Sequence, residues 1–341
     1  MLADKIKTIQ RIEEKDLLNE VKQEDRIGAK VIAFREQLVG DFSEIQFDQP
    51  HWHIIDFKDR GKYKAEYYFQ VNVDKPSNMQ PNGRKKDLVF DYIKLTGKPY
   101  MVCELSAFRK SSYQGDPDNW YFTLGWFHFL RNGYFNNNFC TDDRWLQIQQ
   151  HQGLEVLPWK TDLNSRKYAL ICLQKVNDST MKALMDNHGK YKHWLWIVVN
   201  QIRHKYPKLP IVLRPHLRTK PNNYMPIVDE TKGCTVSETW EDRTYFEGGA
   251  GLQQDLDGAK FVVSYNSNVL TQATMQGIPS ICWDINSAAA PGCLDPSQLH
   301  KLHEVNRIDR QQWLNNLAYT QWSRREIRDG QAWRHLEQYG F

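Results

Sequence analysis

The sequence lacks any long apolar run. Near the middle of its 341 residues the longest continuous apolar stretch covers only residues 194–199, and the first residues, MLADKIKTIQRIEEKD, carry charges throughout. A membrane-spanning helix needs about 20 consecutive apolar residues, and a signal peptide needs an apolar segment behind its charged start. The sequence therefore predicts neither an integral membrane protein nor an exported one.

Closely spaced cysteine pairs are also missing. None of the six cysteines belongs to a C-x-x-C motif, and several of them lie in apolar, strand-like segments. Paired spacing would indicate a zinc site or a redox motif. We expect the cysteines to be reduced core residues of a cytoplasmic protein, and we expect no metal site.

Four signatures of common enzyme classes are absent. The sequence contains no G-x-x-x-x-G-K-[ST], no G-x-G-x-x-G after a first strand, no H-E-x-x-H and no G-x-S-x-G. These motifs position phosphates, dinucleotides, zinc and a serine nucleophile, respectively. Their absence counts against a P-loop NTPase, a simple NAD dehydrogenase, a zinc protease and a serine hydrolase.

Aromatic residues, by contrast, are abundant. The chain has 12 Trp, 16 Tyr and 15 Phe, which make up 13% of its residues, and its net charge is +4. Aromatic faces beyond the needs of a core are suited to stacking on bases and sugars. The small positive charge is compatible with a polyanionic partner without requiring one.

Short apolar segments alternate with helical ones along the chain. The predicted strands cover residues 30–34, 51–57, 65–73, 99–105, 167–174, 209–216, 233–238, 259–265 and 278–284. Strands separated by helices require right-handed crossovers and hence parallel sheets. The pattern predicts an α/β fold.

The length is sufficient for two domains, each with its own core. The second series of strands starts after Pro158, so we place the boundary near residues 160–166. Residues 1–163 are predicted to form an acceptor-binding, Rossmann-like domain, and residues 164–310 a second Rossmann-like domain that binds a donor. Residues 311–341 are predicted to be C-terminal helices, for which packing back on the first domain is one arrangement.

Polar residues follow three strands of the second series. They are Gln174 and Ser179 after ICL, Arg214, His216 and Arg218 after IVL, and Tyr265, Asn266, Ser267 and Asn268 after KFVVS. Ligands of parallel sheets bind at the carboxyl ends of the strands, where cations and helix N–H groups neutralise phosphates. We predict that these residues bind a phosphate-bearing ligand; a solvated basic loop and ordinary helix capping are the alternatives.

The segments that contain these residues resemble the second domain of GT-B nucleotide-sugar glycosyltransferases, and most of all that of the bacterial capsule and Kdo-type transferases. The segments are ICLQKVNDST, IVLRPHLRTK and AKFVVSYNSNVLTQATMQGIPSICWD. Leu217 and Gln272 depart from the family pattern. The resemblance implies a GT-B fold with a cleft between two domains. It also implies a nucleotide-sugar donor, with a UDP-sugar favoured and a CMP-sugar as the alternative, and no obligatory cofactor.

Residues 103–145 are dense in aromatic residues and asparagine, and they resemble DNA-modifying glycosyltransferases of tailed phages, including those that add arabinose to hydroxymethylcytosine. The resemblance implies double-stranded DNA with a hydroxymethylated base as the acceptor, with the base flipped out of the duplex. The expected acceptor-binding residues are Trp120 and Trp126, which would stack on the base, and Arg109, Lys110, Arg131 and Arg144, which would contact phosphates. An aromatic core of a small insertion is the alternative.

Transfer of a sugar with inversion requires a base that accepts the acceptor's hydroxyl proton. Asp118 is the favoured candidate, followed by Glu104 at the end of a predicted strand and Asp116 in the same loop as Asp118. We therefore predict a metal-independent, inverting glycosyltransferase that transfers a sugar such as arabinose to hydroxymethylcytosine in phage DNA, in the host cytoplasm. The alternatives are a capsule or lipopolysaccharide sugar transferase and a non-catalytic nucleic-acid-binding protein.

Overall fold

The structure is a computed structural model with two sheets and accompanying helices, which confirms the α/β class. It describes residues 26–38, 42–43, 45–71, 83–108, 116–127, 138–160, 162, 165–174, 181, 184, 188–216, 231–240 and 250–338.

The strands of the described residues are numbered in chain order. They are β1 (Ile27–Phe34), β2 (Trp52–Ile55), β3 (Tyr63–Val71), β4 (Tyr100–Leu105), β5 (Tyr121–Trp126), β6 (Tyr168–Cys172), β7 (Ile211–Arg214), β8 (Thr235–Val236), β9 (Ala259–Ser264), β10 (Ser280–Cys282) and β11 (Gln321–Ser323).

The α-helices of the described residues are numbered in the same way. They are α1 (Gly83–Leu95), α2 (Asp143–Gln152), α3 (His188–Lys205), α4 (Ala250–Gly258), α5 (Val269–Met275), α6 (Arg310–Ala318), α7 (Arg324–Arg328) and α8 (Gln331–Gln338). Short 3₁₀ segments cover Phe57–Lys62, Pro117–Asn119, Ala290–Gly292 and Pro296–Arg307.

The first sheet has the strand order β11-β5-β4-β3-β1-β2. Strand β1 pairs in parallel with β2 and β3, and β3 pairs in parallel with β4. Residues 31–34 of β1 are all buried, as expected for a strand whose two faces are both covered. The order of the first four strands, 2-1-3-4, is that of a flavodoxin-like doubly wound sheet.

The second sheet has the order β10-β9-β6-β7-β8, and each neighbouring pair is parallel. Counted from β6, this is the order 3-2-1-4-5 of a Rossmann sheet. The strand order reverses between β6 and β9. This switch point is where such sheets bind ligands, outside the carboxyl ends of the strands.

Two compact units make up the chain. Of the described residues, unit 1 holds those up to 104, residues 124–127 and those from 322 onward, and unit 2 holds the others. The expected boundary near residue 163 differs from this division because α2 packs within unit 2. Trp145 and Ile148 of α2 share a buried cluster with Trp313 and Leu314 of α6.

Two strands lie where the sequence analysis placed none. Strand β5, YFTLGW, is buried over its whole length inside the first sheet, although it belongs to the aromatic block expected to line a groove. Strand β11 interrupts the C-terminal segment that was expected to be helical throughout. The next helix, α7, starts directly after it because Ser323 and Glu326 form a reciprocal capping box.

Residues 154–160 lie along the turn between α5 and β10. The Leu157 N–H donates to the Met275 carbonyl at 2.8 Å, and the Lys160 N–H donates to the Gly277 carbonyl at 2.7 Å. Gly277 has φ +74°, and a Cβ there would lie 1.9 Å from the Pro158 carbonyl oxygen. Only glycine can occupy this position without moving the segment.

All six cysteines are free, as expected, and three of them are buried. In the described part of the chain, no helix combines the length and apolar character needed to cross a membrane.

Candidate functional site

Three side chains meet at the carboxyl ends of β6, β9 and β10. The Asn266 backbone N–H donates to Gln174 Oε1 at 3.1 Å, and Gln174 Nε2 donates in return to Asn266 Oδ1. Asn266 Nδ2 donates to Asp284 Oδ2 at 3.1 Å. Gln174, Asn266 and Asp284, named here the polar strip, thus connect the two strands of the switch point with the edge strand β10.

The carboxylate of Asp284 sets the direction of these hydrogen bonds. An ionised carboxylate only accepts, so the Asn266 amide must direct its NH₂ group to Asp284 and its oxygen to Gln174. Asp284 Oδ1 also accepts the Asn286 N–H at 3.0 Å, which orients the carboxylate. Gln174 and Asn266 are both buried, so each amide is held in one orientation.

Aromatic rings lie beside the polar strip. Tyr265 and Trp283 directly precede Asn266 and Asp284, and both are half-buried. Their ring centroids lie 6.0 Å and 6.2 Å from that of the buried Trp194 of α3, in edge-to-face geometry. Burial, together with Asp284, raises the pKa of Tyr265, so its phenol is neutral at physiological pH. Such rings suit a flat base or the apolar face of a sugar.

Ser267 and Asn268 connect the polar strip to α5. Ser267 Oγ accepts the Val269 N–H at 3.3 Å, while the Asn268 side chain, at the N-cap position, makes no capping hydrogen bond. Both residues are half-buried. The capping alternative therefore accounts for Ser267 and leaves Asn268 as a candidate ligand residue.

Arg214 ends β7 and is only 5% exposed. Its guanidinium forms an ion pair with Asp255 of α4, so its charge is neutralised inside the protein. His216, two residues further on, is half-buried. Of the two residues, His216 has the more accessible side chain at this strand end.

Five of the expected site residues lie outside the described residues. They are Ser179, Arg218, Arg109, Lys110 and Arg131.

Two of the expected acceptor-binding residues are internal. Trp126 is 2% exposed, packs on Trp333 and donates from Nε1 to the Leu336 carbonyl at 3.0 Å. Arg144 is 8% exposed and donates to the carbonyl of Ala318, the last residue of α6, at 3.2 Å, and to the carbonyl of Gln321 in β11. A cation at a helix C-terminus stabilises the helix. Both side chains thus support the fold, in place of the expected acceptor contacts.

The candidate bases lie in different parts of the chain. Asp116 is exposed and accepts the Asp118 N–H at 3.0 Å, which places both carboxylates at the start of the Pro117–Asn119 turn. Asp118 is half-buried, as is the neighbouring Trp120. Glu104 is half-buried near the end of β4 and belongs to unit 1, whereas Asp116 and Asp118 belong to unit 2. In the part of the chain that the structure describes, no group of three or more His, Cys, Asp or Glu could hold a metal ion.

No protein-family model and no curated protein matches this chain. Solved structures do match it. The chain is similar to KpsC, a beta Kdo 2,4 transferase of Thermosulfurimonas dismutans, with 12% identity, a TM-score of 0.49, and coverage of 87% of this chain and 92% of that one. It is also similar to the UDP-GlcNAc 2-epimerase of Methanocaldococcus jannaschii, with 13% identity, a TM-score of 0.37, and coverage of 92% and 100%.

A third similar structure is S. aureus MnaA with UDP, with 10% identity, a TM-score of 0.34, and coverage of 96% of this chain and 78% of that one. These similarities concern the fold. Kdo transferases, the class that the strand-end motifs resemble, are among the matching structures.

Sequence analysis missed two carboxylates of this region. Asp284 follows β10 as Asn266 follows β9, so the strand-end rule could have identified it. Asp255 lies inside α4, in the segment LQQDLDG, where nothing in the local pattern indicates a partner. Ser237 and Thr239 follow β8, so the strand-end rule could have identified them as well.

Proposed function

We propose that this chain is a glycosyltransferase that takes its sugar from a nucleotide-sugar donor. The observation that carries the proposal is the polar strip at the switch point of a sheet in Rossmann order. Sheets of this order bind nucleotides in the crevice at their switch point. The resemblance of residues 167–284 to nucleotide-sugar transferases supports the same class of ligand.

The donor is proposed to be a UDP-sugar, with a CMP-sugar as the alternative. The half-buried rings of Tyr265 and Trp283 offer apolar surface to the base or the sugar. His216 and Asn268 supply polar groups for the phosphates. Their hydrogen bonds strengthen as negative charge develops on the leaving phosphate, which allows departure without a metal ion.

The acceptor is proposed to be hydroxymethylcytosine in DNA, to which the enzyme transfers a sugar such as arabinose with inversion. Asp118 is the proposed base and Glu104 the second candidate, because both are half-buried carboxylates. Trp120, beside Asp118, is the remaining described candidate for stacking. The internal positions of Trp126 and Arg144 lend no support to DNA as the acceptor, so the capsule or lipopolysaccharide alternative has to be tested beside it.

Donor binding is tested by thermal unfolding with UDP, CDP and CMP. A nucleotide at a hundred times its dissociation constant should raise the free energy of unfolding by about 2.7 kcal/mol. Asp284→Ala should weaken this stabilisation, while Asp295→Ala, an exposed N-cap change, should leave it intact. A wild-type protein stabilised by none of the three nucleotides would refute the proposed donor class.

The acceptor is identified by transfer from a radiolabelled nucleotide sugar. Hydroxymethylated duplex DNA, unmodified duplex DNA and an oligosaccharide are offered in parallel. Label on the hydroxymethylated duplex alone supports DNA as the acceptor, and label on the oligosaccharide alone supports the polysaccharide alternative. Asp118→Asn should abolish transfer while donor binding remains.

A further inference from the structure

The guanidinium of Arg214 is the centre of a buried hydrogen-bond network. Its side chain and that of Asp255 are 6% and 7% exposed. Nη1 lies within hydrogen-bond distance of four acceptors, among which its two N–H groups are shared. They are the Asp255 carboxylate, Thr239 Oγ1 at 2.9 Å, and Ser237 Oγ and the Gly251 carbonyl at 3.3 Å each. The network therefore joins β7, the segment after β8, and α4.

The acceptors of Arg214 are themselves tied together. Ser237 Oγ donates to the same Asp255 oxygen at 2.6 Å, and Thr239 Oγ1 donates to the Gly251 carbonyl at 2.8 Å. The Thr239 N–H donates to Ser237 Oγ at 3.2 Å. A guanidinium held by several mutually bonded groups has one position, because moving it would break all of these bonds together.

The backbone of Arg214 extends this network to the polar strip. Its carbonyl accepts the Leu173 N–H at 2.8 Å, and Leu173 directly precedes Gln174. On its other side, Pro215 and His216 continue the chain from β7. The position of Arg214 thus helps to fix the positions of Gln174 and His216, the two donor-site candidates that follow β6 and β7.

The ion pair also removes Arg214 as a source of charge for a ligand. A buried guanidinium next to a carboxylate is neutral as a pair, and separating the two would leave an uncompensated buried charge on Asp255. Binding of a phosphate to Arg214 would therefore be weakened by the free energy needed to separate this ion pair.

We propose that Arg214, together with Asp255, is a positioning residue that sets the places of His216 and Gln174 and does not itself contact the donor. This inference rests on the proposed function for the donor site. It goes beyond that function by assigning Asp255 a role and by separating Arg214 from the residues that touch the phosphates.

The two roles of Arg214 predict opposite effects of one substitution. If Arg214 bound the donor phosphates, Asp255→Asn would remove the competing carboxylate and strengthen UDP binding. If Arg214 positions its neighbours, Asp255→Asn loosens the network and weakens UDP binding. The direction of the change in the dissociation constant therefore decides between them.

The experiment is calorimetric titration of UDP into the full chain at two salt concentrations. Arg214→Met and Asp255→Asn should each raise the dissociation constant about tenfold, and the double variant should be no weaker than either, because both act on one network. The salt dependence should stay that of the wild type. Arg307→Met, which removes an exposed cation, is the charge-matched control and should change nothing. Tighter UDP binding by Asp255→Asn, or loss of salt dependence in Arg214→Met, overturns the proposal.

Two further measurements keep the proposal testable. Thr239→Val removes one hydroxyl from the network without leaving a buried charge, so the variant should fold. It should also weaken UDP binding, but by less than Asp255→Asn does. If the wild type binds no nucleotide, the proposed donor class fails, and NMR signals of the His216 ring decide the positioning role separately. They should shift in Asp255→Asn while those of His300 and His303 stay unchanged; an unshifted His216 overturns the proposal.

Discussion

Gln174 and Asn266 hold each other by two hydrogen bonds across the switch point of the second sheet. One bond uses the backbone N–H of Asn266 and the other uses its side-chain oxygen, so the pair fixes both the chain and the amide. The remaining NH₂ group of Asn266 donates to Asp284.

Asn266→Asp should therefore lower the stability of the protein, although the two side chains have nearly the same shape. It replaces the NH₂ donor by a carboxylate oxygen that faces the half-buried Asp284 carboxylate, and two like charges at this distance repel each other. We expect the free energy of unfolding at neutral pH to fall by about 1–3 kcal/mol, measured by urea denaturation, and UDP stabilisation to be lost. Asn200→Asp on the exposed face of α3 is the control. Unfolding at the wild-type urea concentration would contradict this account of the polar strip.

Much of the second sheet follows from the sequence, because its strands are short buried apolar runs separated by helices. YALIC and AKFVVS are examples, and the strand-end rule then locates Gln174 and Asn266. Strands β5 and β11 escaped prediction. YFTLGW reads as an aromatic block with an internal glycine, and QWS is too short to carry a pattern of its own.

The role of Arg214 could not be predicted from its surroundings in the sequence. A cation behind a parallel strand is typical of a phosphate ligand. Its partner Asp255 lies 41 residues away in a helix, and only the tertiary fold brings them together. Long-range pairing of this kind leaves no local signal.

Gly277→Ala should strongly destabilise the protein. The methyl group meets the Pro158 carbonyl at 1.9 Å, and the positive φ adds backbone strain. We expect a loss of about 2–5 kcal/mol in urea denaturation. Gly153→Ala shares the positive φ but has nothing within 4 Å of the new methyl group, so it should cost only about 1–2 kcal/mol. Equal losses in the two variants would show that contact with the segment 154–160 is unimportant.

Gln321→Leu tests whether the buried hydrogen bonds of the Gln321 side chain stabilise the protein. Gln321 Oε1 accepts from Ser106 Oγ and the Ala107 N–H, both at 3.0 Å, and from Thr123 Oγ1 at 3.1 Å. Leucine would leave these buried donors without this acceptor, and each such loss costs about 1–3 kcal/mol. We expect a marked drop in the urea midpoint, whereas Gln311→Leu on the exposed side of α6 should leave it nearly unchanged. A midpoint that stays at its wild-type value would rule out a stabilising role for these hydrogen bonds.

Alkaline pH should destabilise the fold through buried thiols. Burial raises the pKa of Cys172 and of Cys282 to about 12, whereas an exposed thiol ionises near 9. The stabilisation is fully present below pH 9 and is lost as pH rises from 9 towards 12, by about 1.4 kcal/mol per unit and per thiol.

Cys172→Ala should reduce this pH slope. The slope is measured as the free energy of unfolding between about pH 8.5 and about pH 10.5, a window that crosses the pKa of an exposed thiol and stays below that of the buried Cys172. Leu170→Ala in the same strand removes buried volume without an ionisable group, so it should lower stability equally at both pH values. A slope that Cys172→Ala leaves unchanged would show that this thiol is not the titrating group.

The segment 154–160 bears on how the protein can be divided for experiments. A fragment that starts at residue 164, where the sequence suggests a second domain, would lack the two N–H groups that bind the Met275 and Gly277 carbonyls. It would also lack α2, and so expose the face of Trp313 and Leu314 that Trp145 and Ile148 cover. A separately expressed second half must therefore begin before α2 and keep residues 154–160, because both are packed parts of that half and not a linker in front of it.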